Sequence, residues 1–127
     1  MSELKILLVD DDLAVLDVMI DLLQEGGGCQ VRCANSAAGA LDAVRTSRSV
    51  DVVITDYNMP GMNGLELARE LQRMERCPEA IWIITGLSGG QYEDIVSVAS
   101  AIGVRVFQKP MLEGLWDELA ALRRCSA

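Results

Sequence analysis

Unbroken apolar runs constrain this chain more than any other feature. Ile6-Leu7-Leu8-Val9, Val52-Val53-Ile54-Thr55 and Ala80-Ile81-Trp82-Ile83-Ile84-Thr85 are rich in β-branched residues, and polar or turn-forming residues bound them. Runs of this length that do not alternate with polar residues read as strands buried on both faces. Gln30 to Ala34 and Val104 to Gln108 read as two further short strands. A strand covered on both faces belongs to a parallel sheet with helices on either side.

The segments between the runs have helical spacing. Leu13 to Gln24 places apolar residues at Leu16, Met19, Ile20 and Leu23, with Asp11 or Asp12 able to cap its start. The glycines at 26–28 end it. Ser36 suits the N-cap of a helix whose inner face is Ala37, Leu41 and Val44. A third helix is predicted from about Gly64 to Met74, with Leu65, Ala68 and Leu71 inward. A fourth covers Gln91 to Ile102 with Ile95, Val98, Ala99 and Ile102 on one face, after a flexible loop at Gly86–Gly90. Leu112, Leu115, Trp116, Leu119 and Leu122 predict a last helix that tolerates Gly114. The fold class is therefore α/β: five strand–helix units in a (βα)5 doubly wound parallel sheet of flavodoxin-like order 2-1-3-4-5. With 127 residues and no internal linker, the expectation is one domain over 1–127, with nothing further after the fifth helix.

Charge narrows the function. The chain carries 11 basic and 19 acidic residues and no histidine, for a net charge of −8. An acidic domain of this kind is not expected to contact nucleic acid, and histidine-based triads and most zinc sites are excluded. Cys29, Cys33, Cys77 and Cys125 form no C-x-x-C pair, so free thiols in a reducing compartment are expected rather than a Cys29–Cys33 metal or redox pair. No apolar run approaches the roughly 20 residues of a membrane helix, and no signal peptide is evident, so a cytoplasmic location is expected.

The strand ends carry the chemistry. Asp10, Asp11 and Asp12 follow the first strand, Asp56 ends the third, Thr85 ends the fourth and Lys109 follows the fifth. In a 2-1-3-4-5 sheet these four strands are neighbours, so their carboxyl ends converge where such folds bind ligands. Each residue has a plainer reading alone: a helix cap, a loop carboxylate, a β-branched strand end, a solvated lysine. Jointly they describe a site. Clustered carboxylates repel unless a cation joins them, and Mg²⁺ suits one or two carboxylates with carbonyls and waters. A carboxylate beside Mg²⁺ and an ammonium can attack phosphorus and form an aspartyl phosphate. The metal, Lys109 and the Thr85 hydroxyl would then face the phosphoryl oxygens.

On these residues the chain resembles a response-regulator receiver domain, the phospho-accepting part of two-component signalling. The motifs are Ile6-Leu7-Leu8-Val9-Asp10-Asp11-Asp12, then Asp56-Tyr57-Asn58-Met59-Pro60-Gly61-Met62-Asn63-Gly64, Thr85-Gly86 and Lys109-Pro110, and the likeness spans about residues 4 to 124. The resemblance implies that Asp56 is the phosphoryl acceptor. It implies that Asp10 and Asp11 are the acidic pair, Asp11 being favoured as direct Mg²⁺ ligand, and that Asn58 offers its backbone carbonyl to the metal. It makes Thr85 and Lys109 the groups that bind the phosphoryl and switch. The implied partners are a sensor histidine kinase or phosphotransfer protein and a downstream output protein or fused output domain. The output partner would meet the face of the fourth helix, fifth strand and fifth helix, which a dimer could also use. No membrane contact and no turnover of a separate substrate are expected.

Two departures stand out. Receivers usually have an aromatic residue three positions before the lysine; here Val106 stands there, and Phe107, one place on, should face the other side of its strand. Asn63 stands where the family commonly has Asp, and caps a helix equally well. Three other readings compete. A haloacid-dehalogenase-type phosphatase would use the D-x-D in Asp10-Asp11-Asp12 but leaves Asp56 unexplained. A receiver-like interaction module would keep the fold without being phosphorylated. A flavodoxin would want Ser, Thr and Gly donors, not acids, after the first strand.

Overall fold

A computed structural model describes residues 4–25, 28–46 and 50–108. In chain order the elements are β1 (Leu4–Val9), α1 (Leu13–Glu25), β2 (Cys29–Ala34), α2 (Ala37–Thr46), β3 (Val52–Asp56), α3 (Gly64–Gln72), β4 (Ala80–Thr85), α4 (Gly89–Ala101) and β5 (Arg105–Gln108). The five strands form one parallel sheet in the order β2-β1-β3-β4-β5. This is the flavodoxin-like order expected from the runs of buried residues. The expected fifth helix, with Leu112 to Leu122, and Lys109 lie outside the described residues.

Alternation along the strands divides the core in two. Leu7, Val9, Val53, Ile81 and Ile83 pack with α2, α3 and α4 residues such as Val44, Leu67, Leu71 and Ala99. Leu4, Ile6, Leu8, Ile54, Trp82, Ile84 and Phe107 pack against Leu16, Met19 and Leu23 of α1. Period two sends neighbouring residues to opposite faces, so Val106 joins the first cluster and Phe107 the second, as expected. Phe107 meets Trp82 edge-on, with centroids 5.6 Å apart and planes at 64°. The Arg105 guanidinium lies 5.5 Å from the Phe107 ring centre.

Several boundaries and faces differ from expectation. Gly89 and Gly90 form the first turn of α4, leaving only Gly86–Ser88 as loop. Gly89 has φ +64°, which glycine adopts without strain, and the chain turns into the helix there. Val98 is exposed, because α4 buries only Ile95 and Ala99 fully. In α3, Ala68 and Leu71 are buried as expected, but Leu67 is buried with them in place of Leu65, which is half-buried. In α2, Ala40 is buried and Leu41 half-buried, because small residues let the helix sit close to the sheet. Among the described residues, Cys29, Cys33 and Cys77 form no disulfide. Four residues apart on a strand, Cys29 and Cys33 stand about 13 Å apart, too far for a disulfide. Among the described residues, no helix is long and apolar enough to cross a membrane.

Candidate acidic site at the strand ends

Backbone pairing aims the acidic residues. Val9 of β1 pairs with Thr55 of β3, so Asp10 and Asp56 leave adjacent strands at the same level. The Asp10 amide donates to the Ala34 carbonyl at 3.2 Å, holding the β1 exit against β2. The Asp10 carboxylate accepts from the Asp12 amide at 2.9 Å, which turns the chain and presents Asp11. Asp12 then caps α1, accepting from the Ala14 amide at 3.0 Å. The result is a buried Asp10, an exposed Asp11 and a half-buried Asp56. One carboxylate oxygen from each lies within 4.8 Å of the other two.

That spacing tests the fit to a metal. Two oxygens on opposite sides of one Mg²⁺ sit about 4.2 Å apart, from a bond length near 2.1 Å. Three hard oxygen donors within 4.8 Å therefore suit a small divalent cation with slight adjustment. Without one, like charges held this close oppose each other.

The turn after Asp56 is held by backbone. The Tyr57 amide donates to the Ile84 carbonyl at 2.9 Å, and the Gly64 amide donates to the Tyr57 carbonyl at 2.9 Å. Asn63 closes α3 with a capping box: its side chain accepts from the Glu66 amide, and the Glu66 carboxylate accepts from the Asn63 amide. Asn58 lies exposed in this turn. Gly64, the last residue of the Asp56–Gly64 motif, lets the start of α3 lie directly against the β3 exit. A Cβ there would stand 2.8 Å from the Asp56 carbonyl oxygen and 3.1 Å from Tyr57 Cα. The signal was present, since a glycine directly after a helix cap often marks close backbone approach.

Thr85 is fully buried at the end of β4, one residue beyond Ile84, which pairs with Asp56. Its hydroxyl accepts from the Leu87 amide at 3.1 Å. Lys109 follows Gln108 in the chain and lies outside the described residues.

The model of the response regulator receiver domain matches residues 6–118. The chain belongs to that family. It is a receiver domain of two-component signalling, and its relatives agree. The receiver domain is 30% identical over 99 residues to a chemotaxis protein CheY homolog of Campylobacter jejuni, covering 78% of this chain and 76% of that protein. It is 34% identical over 118 residues to the sensory/regulatory protein RpfC of Xanthomonas campestris, covering 91% of this chain but only 16% of RpfC. Among solved structures, the chemotaxis response regulator CheY4 of Vibrio cholerae superposes with a TM-score of 0.80 at 26% identity, over 94% of this chain and 98% of that one.

Proposed function

We propose that this receiver domain takes a phosphoryl group onto Asp56 from a phosphohistidine of a sensor histidine kinase or phosphotransfer protein. The observation that carries the reading is the convergence of Asp10, Asp11 and Asp56 at one sheet end. An Asp56 carboxylate oxygen attacks phosphorus, the P–N bond to the donor imidazole breaks, and the electron pair leaves with the imidazole, which takes a proton. Asp10, Asp11, Asp56 and the Asn58 backbone carbonyl would hold Mg²⁺. When bound, that ion neutralises charge on the transferring oxygens. The Thr85 hydroxyl turns to donate to a phosphoryl oxygen, and the Lys109 ammonium balances its charge. The protein is changed once by this chemistry and turns over no separate substrate.

The signal then leaves through Thr85. Because Thr85 leads into the Gly86–Ser88 loop and α4, a phosphoryl that pulls on its hydroxyl biases that side. Val106 has a short, stiff side chain and cannot swing as an aromatic ring would. The change is carried by the loop and α4, with a coupling of about 1–3 kcal/mol. The output is a separate protein or a fused domain that meets the α4–β5 side.

Phos-tag gels of wild type and Asp56→Asn, incubated with acetyl phosphate and Mg²⁺, test the acceptor. Wild type gains one phosphoryl group and the variant none; equal labelling of both refutes the assignment. Amide shifts with beryllofluoride, a phosphoryl mimic, test the route. They should concentrate at residues 86–102, and shifts confined to α1 and α2 would refute it.

A further inference from the structure

Leu87 is bonded through both its backbone amide and its backbone carbonyl. Its amide donates to the Thr85 hydroxyl at 3.1 Å, and its carbonyl accepts from the Gln108 side-chain amide at 2.9 Å. Only the NH₂ end of Gln108 can serve a carbonyl, so the amide orientation follows from the partner. The two contacts share a cause in the sheet. Thr85 pairs with Gln108 across β4 and β5, and paired residues of adjacent strands point to the same face. Both side chains therefore reach the one loop residue above them. The rest of the loop offers little hold. Gly86 has no side chain, and Ser88, the N-cap of α4, makes no side-chain cap hydrogen bond. Among the described residues, the bonds that tie Gly86–Ser88 to the sheet both end on Leu87.

We infer that Gln108 is a positioning residue that holds Leu87, and through it the Thr85 hydroxyl, in the arrangement of the unphosphorylated protein. This rests on the reading of Asp56 as phosphoryl acceptor. When the Thr85 hydroxyl turns toward Asp56, it releases the Leu87 amide. The loop can follow only if Leu87 also parts from Gln108, so the Gln108 bond opposes the switched state. Val106, two residues earlier on the same face, is aliphatic and has no group that could make this bond. Gln108 supplies from β5 the hold on the loop that Val106 cannot.

The test compares wild type, Gln108→Met and Gln108→Glu. Met matches the length without a donor, and Glu matches the shape with acceptors only. Beryllofluoride affinity is measured by calorimetry in Mg²⁺, and amide exchange is followed at residues 86–90. Losing one net hydrogen bond from the unswitched state should tighten beryllofluoride binding by about two- to tenfold in both variants. Exchange at Leu87 should quicken while the amides of β3 and β4 stay protected. A purely structural role predicts the reverse, because a loosened fold binds more weakly. Wild type that binds while neither variant binds tighter overturns the role of Gln108 and leaves the acceptor reading intact. Wild type that binds no beryllofluoride overturns the acceptor reading, and the latch with it.

Discussion

Replacing Gly64 with alanine places a methyl group where two backbone atoms already stand. The new Cβ would lie 2.8 Å from the Asp56 carbonyl oxygen and 3.1 Å from Tyr57 Cα. Neither atom can rotate away as the tip of a side chain could. The Asp56 carbonyl is held by its place in β3, and the Tyr57 amide by its bond to Ile84. Forcing a methyl into a packed site costs about 1–3 kcal/mol. Gly64 opens α3, so the alanine recovers part of the propensity difference of about 1 kcal/mol. The net loss is about 1–2 kcal/mol, combining the two terms. At this chain length 1 kcal/mol moves Tm by about 3–5 °C, so Tm should fall by about 3–10 °C. The strain falls on Asp56, the residue proposed as phosphoryl acceptor. Misplacing a reacting atom by 1 Å can cost about 100-fold in rate, so labelling of Asp56 by acetyl phosphate should slow by about tenfold or more. Gly86→Ala is the control, since a Cβ there meets nothing within 4 Å. It should leave Tm unchanged or raise it slightly through the unfolded chain. Thermal unfolding by circular dichroism and Phos-tag rates read both effects. A Gly64→Ala protein that melts and labels like wild type would refute the close-approach argument.

Further outcomes follow from the same geometry. Mg²⁺ should raise the Tm of wild type, by about 2.7 kcal/mol of linkage at 100 times Kd. Asp11→Ala should abolish that rise and itself melt higher without metal, because one of three crowded carboxylates is gone; an unchanged Mg²⁺ response in the variant would sink the metal assignment. Asn63→Ala should cost about 1 kcal/mol by opening the capping box, while Asn63→Asp should be close to neutral, as urea unfolding would show. Burial first, and the Asp17 carboxylate second, push the Cys33 thiol above its ordinary pKa. Less thiolate is then present at a given pH, so alkylation of Cys33, in a chain with its other cysteines changed to serine, should rise at higher pH than for a free thiol. Asp17→Asn should move the profile part of the way back, and no movement would remove Asp17 as a cause.

The fold was legible because the strands declare themselves. Runs such as Ile81-Trp82-Ile83-Ile84 cannot be solvated on either face, and their number and spacing leave few arrangements. The carboxylates of the site were legible because they stand at the ends of those runs. What was not legible depends on tertiary contacts. Helical spacing alone could not choose between Leu65 and Leu67, since the sheet decides which side of α3 it covers. Val98 fits an apolar stripe, yet α4 is rotated so that Ile95 and Ala99 take the sheet. Two adjacent glycines read as loop, and the position where the chain turns into α4 recruited both into the helix. Gln108 gave no signal, because a glutamine at a strand end is ordinary until a loop carbonyl comes within its reach.

The period-two alternation of the sheet has a consequence for how such a protein can diverge. Asp10 and Asp56 open beside Val15, Val18 and Met19 of α1, on one face of the sheet. Thr85 and Gln108 engage the loop that feeds α4, on the other. The buried strands stand between them as a wall one residue thick. Substitutions that retune what docks near the acids can therefore accumulate on α1 without disturbing the hydroxyl side. Those that retune what reads α4 can accumulate without disturbing the acids. Under the proposed phosphorelay, input and output specificity become two separately inherited traits, joined only through the few atoms at the rim of the wall.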